Sequence, residues 1–202
     1  MKTLIIVRHG QTTADLDGTH EGRQDNHLTN LGVSQVECLT KRLKTHYSID
    51  FMYSSPMIRT KETIDIINKV YNNNIVFDDL LMEWDNGLLA GLKRSEALIK
   101  YPPPNEYTIH TKLYETESTF EFRKRVDKFV EKLFNTHQLD NSNVLVVTHG
   151  GTINMILSSV FKDEISLEKK YKTGDTGIHV LEWIDNVVVY KEKNSLMHLK
   201  KD

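Results

Sequence analysis

Two apolar runs constrain this chain more than any other feature. Thr3 to Val7 and Val144 to Val147 are short, rich in β-branched residues and free of polar alternation, the pattern of strands covered on both faces in a parallel sheet. Each ends in a histidine-glycine turn: Arg8-His9-Gly10 after the first, Thr148-His149-Gly150-Gly151 after the second. Ligands of open α/β sheets sit beyond the carboxyl ends of the strands, so both histidines and Arg8 are expected to converge on one crevice. A glycine after each histidine lets backbone N–H groups approach a ligand closely.

The sequence between and around these runs supplies helices and further strands. Behind the polar stretch from Gly10 to Thr29, Val33, Val36, Leu39 and Leu43 recur at helical spacing, with Thr29 as the N-cap. Phe51 to Tyr53 reads as a strand. Ser55-Pro56 opens a helix with Met57, Thr60, Ile64, Ile67 and Tyr71 inward, on which Arg59 falls by spacing among exposed positions. Ile75 to Phe77 suggests a third strand, followed by an irregular stretch from about 80 to 117 that carries Pro102 to Pro104. Ser118-Thr119-Phe120-Glu121 has the form of a capping box before a helix faced by Phe122, Val126, Phe129, Val130, Leu133 and Phe134. The run at Val144 passes into an apolar helix to about Phe161, and Ile178 to Trp183, Asp185-Asn186 and Val187 to Tyr190 read as strand, turn and strand. This alternation predicts an α/β fold with a mostly parallel central sheet and helices on both faces. The expected organisation is one domain over 1–202 with a cap-like insertion at about 80–117.

Composition narrows the function classes. Lys plus Arg total 26 against 28 for Asp plus Glu, a net charge of −2, which argues against nucleic acid or an anionic membrane as a partner. The single cysteine, Cys38, cannot form an intrachain disulfide or a multi-cysteine zinc site. The first apolar run stops at Arg8, too short for a signal-peptide core, and no long apolar stretch follows. These features read as a soluble, cytoplasmic protein, with monomer and homodimer both left open.

Six blocks occur in order along nearly the whole chain: Arg8-His9-Gly10; Leu28-Thr29 with Gly32 and Gln35; Ser54-Ser55-Pro56 with Arg59; Glu83 with Gly87 and Gly91; Glu117-Ser118 with Arg125-Val126; and Thr148-His149-Gly150-Gly151. Together they resemble the histidine phosphatase, or phosphoglycerate mutase-like, superfamily. The resemblance implies that His9 is the nucleophile that forms a phosphohistidine, which water then hydrolyses. His9 must then be neutral, with its other ring nitrogen fixed by a backbone carbonyl. Arg8 and Arg59 would grip the phosphoryl oxygens, as planar, permanently charged guanidinium groups can. Gly150 would lie beside the phosphate, and His149, if cationic, would add a donor as charge shifts. Glu83 would protonate the leaving alkoxide, with its carboxyl held protonated by partial burial. Thr12, Asp15 and Arg94 are candidate substrate contacts. The resemblance implies no metal and no cofactor, and its phosphatase branch acts on small phosphorylated metabolites with release of inorganic phosphate.

The departures are specific. Asp15 aligns where the family often has asparagine, and an anion beside a phosphate is unfavourable unless protonated, turned away or paired. His27 stands where proline is common. The mutase branch carries a longer insertion with adjacent arginines, whereas this chain has no arginine from 95 to 122. Mutase-type phosphoryl transfer and a non-catalytic phospho-ligand-binding regulator are the alternatives to a phosphatase.

Overall fold

The computed structural model describes residues 1–137, 141–185 and 187–200. Six strands form one sheet in the order β3-β2-β4-β1-β5-β6: β1 (Thr3–Arg8), β2 (Phe51–Ser54), β3 (Ile75–Phe77), β4 (Asn143–Thr148), β5 (Ile178–Ile184) and β6 (Val187–Ser195). The first four in that order run parallel. β5 pairs antiparallel with β1 and with β6, so the sheet ends in a hairpin.

The continuous apolar runs have the predicted cause. Along β1, Leu4 and Ile6 enter one core with Val144 and Val146 of β4, while Ile5 and Val7 enter the other with Leu145 and Val147. The first core is covered by α5 (Thr119–His137) and α6 (Gly150–Val160), the second by α2 (Asn30–His46) and α3 (Ile58–Asn68). Leu4 to Val7 and Val144 to Val147 are all fully buried, and each such side chain contributes about 1.5–3 kcal/mol relative to exposure.

Local signals set most helix ends. The Thr29 side chain accepts the Gly32 N–H at 2.9 Å at the start of α2. Ser118 and Glu121 form their reciprocal box, with Ser118 N–H to Glu121 Oε2 at 3.1 Å and Glu121 N–H to Ser118 Oγ at 3.2 Å. A further capping box, Thr12 with Asp15, opens the short α1 (Thr13–Asp17).

Three details differ from the sequence reading. α3 begins at Ile58 rather than at Ser55-Pro56, with extended Met57 as its cap, and Tyr71 lies beyond its end. The stretch from 80 to 117 is not wholly irregular: it holds α4 (Arg94–Lys100), whose buried Ala97 is its one inward anchor. β6 continues past Tyr190 to Ser195 because its burial alternates instead of being continuous. Of the turn expected at Asp185-Asn186, Asp185 has a left-handed φ of 49°, and Asn186 lies outside the described residues. Among the described residues no helix is long and apolar enough to cross a membrane.

Candidate active site

β1 and β4 are adjacent and in register, Arg8 opposite Thr148, so His9 and His149 leave the sheet side by side. Their ring centroids lie 5.2 Å apart in an edge-to-face arrangement. His9 is 2% exposed. Its Nδ1 lies 2.8 Å from the Gly10 carbonyl oxygen; that oxygen can only accept, so Nδ1 carries the proton and Nε2 has a free lone pair. Burial, Arg8 and Arg59 together hold the His9 pKa well below the ordinary imidazole value, which keeps the ring neutral.

Arg59, placed by spacing on an exposed helix surface, is fully buried. The reason is long-range: its terminal nitrogens donate to the Gln24 and Gly22 carbonyls at 2.8 and 2.7 Å. Its Nε donates to His149 Nδ1 at 3.1 Å and lies 3.2 Å from Glu21 Oε2. Since His149 Nδ1 accepts, Nε2 carries the ring proton and donates to Ser55 Oγ at 2.8 Å. His149 is thus a neutral ring with both nitrogens engaged in the free protein; its role as a donor to phosphoryl oxygens is expected only for a cationic ring. Burial, Arg59, His9 and Arg8 push its pKa far down.

Arg8 lies between two carboxylates, 3.3 Å from Asp15 Oδ1 and 3.1 Å from Asp175 Oδ1, and also donates to the Thr173 carbonyl at 3.2 Å. Asp15 is therefore paired, and its other oxygen accepts from the Thr12 N–H and hydroxyl at 2.9 and 3.0 Å. Burial raises the Asp175 carboxyl pKa against the pull of Arg8.

Glu83 is brought in by a fixed segment. Arg125 donates to the carbonyls of Leu80, Met82 and Glu83 at 2.8, 2.9 and 3.3 Å while its fork grips Glu117, both contacts at 2.9 Å. The hydroxyls of Thr148, at the end of β4, and Thr152, in α6, hold the Leu81 and Met82 carbonyls. The Glu83 carboxylate accepts from the Gly151 N–H at the start of α6 and from the Trp84 N–H, each at 2.9 Å. Both partners are backbone donors, which fix the orientation of the carboxyl group over the cavity. A Cβ on Gly151 would stand 2.5 Å from Glu83 Oε1, which explains a glycine there.

These groups border a cavity of about 600 Å³ lined by Arg8, His9, Asp15, Glu21, Glu83, Trp84, Arg94 and Gly150, with Lys169, Lys172 and Thr173 at another wall. A neutral nucleophilic nitrogen beside permanent cations and glycine N–H groups can hold and attack a tetrahedral anion. Among the described residues no group of His, Cys, Asp or Glu has metal-holding geometry.

Residues 4–195 match the description of the Histidine phosphatase superfamily (branch 1). The chain belongs to that superfamily. Phosphoserine phosphatase 1 of Hydrogenobacter thermophilus is 29% identical over 153 residues, covering 74% of this chain and 71% of its own. A 2,3-bisphosphoglycerate-dependent phosphoglycerate mutase of Nitrobacter hamburgensis is 27% identical over 201 residues, covering 89% and 92%. In structure, Entamoeba histolytica phosphoserine phosphatase in complex with 3-phosphoglyceric acid superposes with a TM-score of 0.78 at 24% identity, covering 99% of this chain and 100% of the other. The superfamily thus includes both phosphatase and mutase relatives of this chain.

Of the residues proposed from the sequence, Arg8, His9, Asp15, Glu83, Arg94 and Gly150 border the cavity. Arg59 and His149 lie buried directly behind His9, and Thr12 is fully buried, serving as the cap of α1. Sequence reasoning missed Glu21, Asp175, Lys169, Lys172 and Thr173. The unusual length of the polar segment after Gly10 was the one available signal for Glu21; nothing local marks the others.

Proposed function

We propose that this histidine phosphatase superfamily member is a metal-independent phosphatase that releases inorganic phosphate from small phosphomonoesters through a phosphohistidine on His9. The observation that carries the reading is the His9 tautomer: a buried neutral ring, pinned through Nδ1, offering the Nε2 lone pair to the cavity. In the first step Nε2 attacks phosphorus, the P–O ester bond breaks, and Glu83 delivers a proton to the leaving oxygen. In the second, Glu83 takes a proton from water, the resulting hydroxide attacks phosphorus, and the P–N bond breaks with its electron pair returning to Nε2. Arg8 and the N-terminus of α6 at Gly150 stabilise the transferring group. Arg59 and His149 hold the cradle in place from behind, and Arg59 retains N–H groups for the phosphoryl oxygens.

We read residues 1–202 as one domain, in which residues 80–117 form a cap that carries Glu83 and Arg94. Arg94, Lys169 and Lys172 add positive charge at the cavity wall, which favours a substrate with a second anionic group. The same feature supports mutase-type transfer as a second reading.

The test is acid quenching with a labelled phosphomonoester. Acid-labile phosphate should be trapped on wild type and not on His9→Ala, whose circular dichroism is unchanged, and turnover should persist in excess chelator. Normal turnover by His9→Ala would overturn the mechanism. Free phosphate as product supports the phosphatase, and an isomerised phosphoester supports the mutase.

A further inference from the structure

Glu21 reaches the place where a phosphoryl group has to sit. Its Oε2 lies 3.2 Å from Arg59 Nε and 3.9 Å from His9 Nε2, and Oε1 is buried without a hydrogen-bond partner among the described residues. As a structural ion pair this would be poorly made: Arg59 Nε is shared with His149, and half of the carboxylate is unsatisfied. A phosphorus poised for attack stands about 3–3.5 Å from the nucleophile, which brings its oxygens into contact with the Glu21 oxygens. Two anions cannot share that space without a proton between them.

The carboxyl has little freedom to move away. The carbonyl of Gly22, the next residue, accepts from Arg59 NH2, and that of Gln24 from NH1. On the other side, His20 exchanges backbone bonds with the 91–92 segment: its N–H to the Leu92 carbonyl, its carbonyl from the Gly91 N–H, at 2.9 and 2.8 Å. Gly22 has a left-handed φ of 51°, and Asn86 fills the space beside it. The backbone is fixed on both sides of Glu21.

We propose that Glu21 fills the phosphoryl cradle of the free protein as a carboxylate and binds the phosphoryl group as a neutral acid, donating its proton to a phosphoryl oxygen. Phosphate capture is then coupled to uptake of one proton. This rests on the phosphatase reading and deepens it: phosphate capture strengthens as pH falls toward the pKa of Glu21. The titratable and charged groups around Glu21 are Arg59 from α3, Arg8 and neutral His9 at the end of β1, and Asp15 from α1, with the Thr12 hydroxyl also near; His149 and Glu83 lie farther round the site. Burial raises the Glu21 pKa above the ordinary carboxylate value, opposed by Arg59, Thr12 and Arg8 and assisted by Asp15. An incoming anion raises it further.

The test is calorimetric binding of inorganic phosphate from pH 4.5 to 8 to wild type and Glu21→Gln, with Glu21→Ala as a second variant and thermal unfolding to verify the fold. Phosphate's own titration is common to all three proteins and cancels in their ratio. Above the free-protein pKa of Glu21, the ratio of wild-type to Glu21→Gln dissociation constants should rise about tenfold per pH unit, the linkage expected for one proton. An infrared difference spectrum should show a carboxylic-acid carbonyl band on phosphate binding in wild type and none in Glu21→Gln. Parallel pH curves for wild type and both variants, with phosphate bound and turnover intact, would overturn the role of Glu21 and leave the phosphatase standing. No phosphate binding and no turnover in wild type at any pH would overturn both.

Discussion

Arg59 Nε donates to His149 Nδ1 across 3.1 Å, a bond that only a neutral imidazole can accept. It ties α3 to the start of α6 and orients the ring packed edge-on against His9. Replacing Arg59 by Met should destabilise the fold by about 3 kcal/mol, because Glu21 is left as a buried unpaired charge, and should reduce kcat/KM at least a hundredfold. Urea denaturation and steady-state kinetics measure the two effects. Ser55→Ala, which frees His149 Nε2, should cost about 1 kcal/mol and lower kcat with little change in KM.

Glu83→Gln keeps an acceptor for the Gly151 N–H and removes the group proposed to exchange a proton with the leaving oxygen. General acid catalysis contributes roughly 10²–10⁴ in rate, so alkyl phosphates should lose most of their turnover. Nitrophenyl phosphate, with a stable leaving oxygen, should lose far less in its first step. Equal losses on both substrates would assign Glu83 to holding the α6 N-terminus rather than to proton transfer.

Asp15→Asn should retain α1, since the amide oxygen can still accept from the Thr12 N–H. It removes one of the two carboxylates that neutralise Arg8. Phosphate should therefore bind several-fold more tightly, with stability changed by no more than about 1 kcal/mol, as for a partly exposed ion pair. Competitive inhibition by phosphate gives the first quantity and thermal unfolding the second. Unchanged inhibition would mean that Asp175 and the Thr173 carbonyl alone set the orientation of Arg8.

Acid should destabilise the protein before its carboxylates titrate. Burial lowers His179 and His198 to about 4 and His9 and His149 well below the ordinary value, whereas unfolded histidines titrate near 6.5. Between those limits the unfolded chain binds more protons, so stability is full above about pH 6.5 and falls as pH drops toward 4. Urea midpoints measured over this window should decline steadily, with a shallower slope in His198→Gln. A flat profile would contradict the burial of these rings.

The sheet was legible because two-sided burial leaves its mark in the residues themselves: nothing polar interrupts Leu4 to Val7 or Val144 to Val147. Capping at Thr29 and Ser118 was legible for a similar reason, since donor and acceptor lie within three residues of each other. Arg59 was misread by periodicity because what buries it, the carbonyls of Gly22 and Gln24, lies on a distant loop. Glu21 was marked only by the length of the polar segment that holds it, and α4 was obscured by Pro102 to Pro104 just beyond it. The tautomer of His149 was out of reach for the same reason: its partners Arg59 and Ser55 are assembled only by the fold.

The parallel register that sets Arg8 opposite Thr148 also has a kinetic consequence. The two halves of the proposed cradle, at the ends of β1 and β4, are joined by a ladder whose partners are far apart in sequence, and such pairing is slow to form. On refolding, helix signal from α2 and α5 should return before the first turnover is detected. During synthesis, a nascent chain that has not yet emerged through β4 would carry Arg8, His9, Arg59 and Glu83 without His149 or Gly150, so on the proposed mechanism it would stay inert toward phosphoesters until the sheet closes.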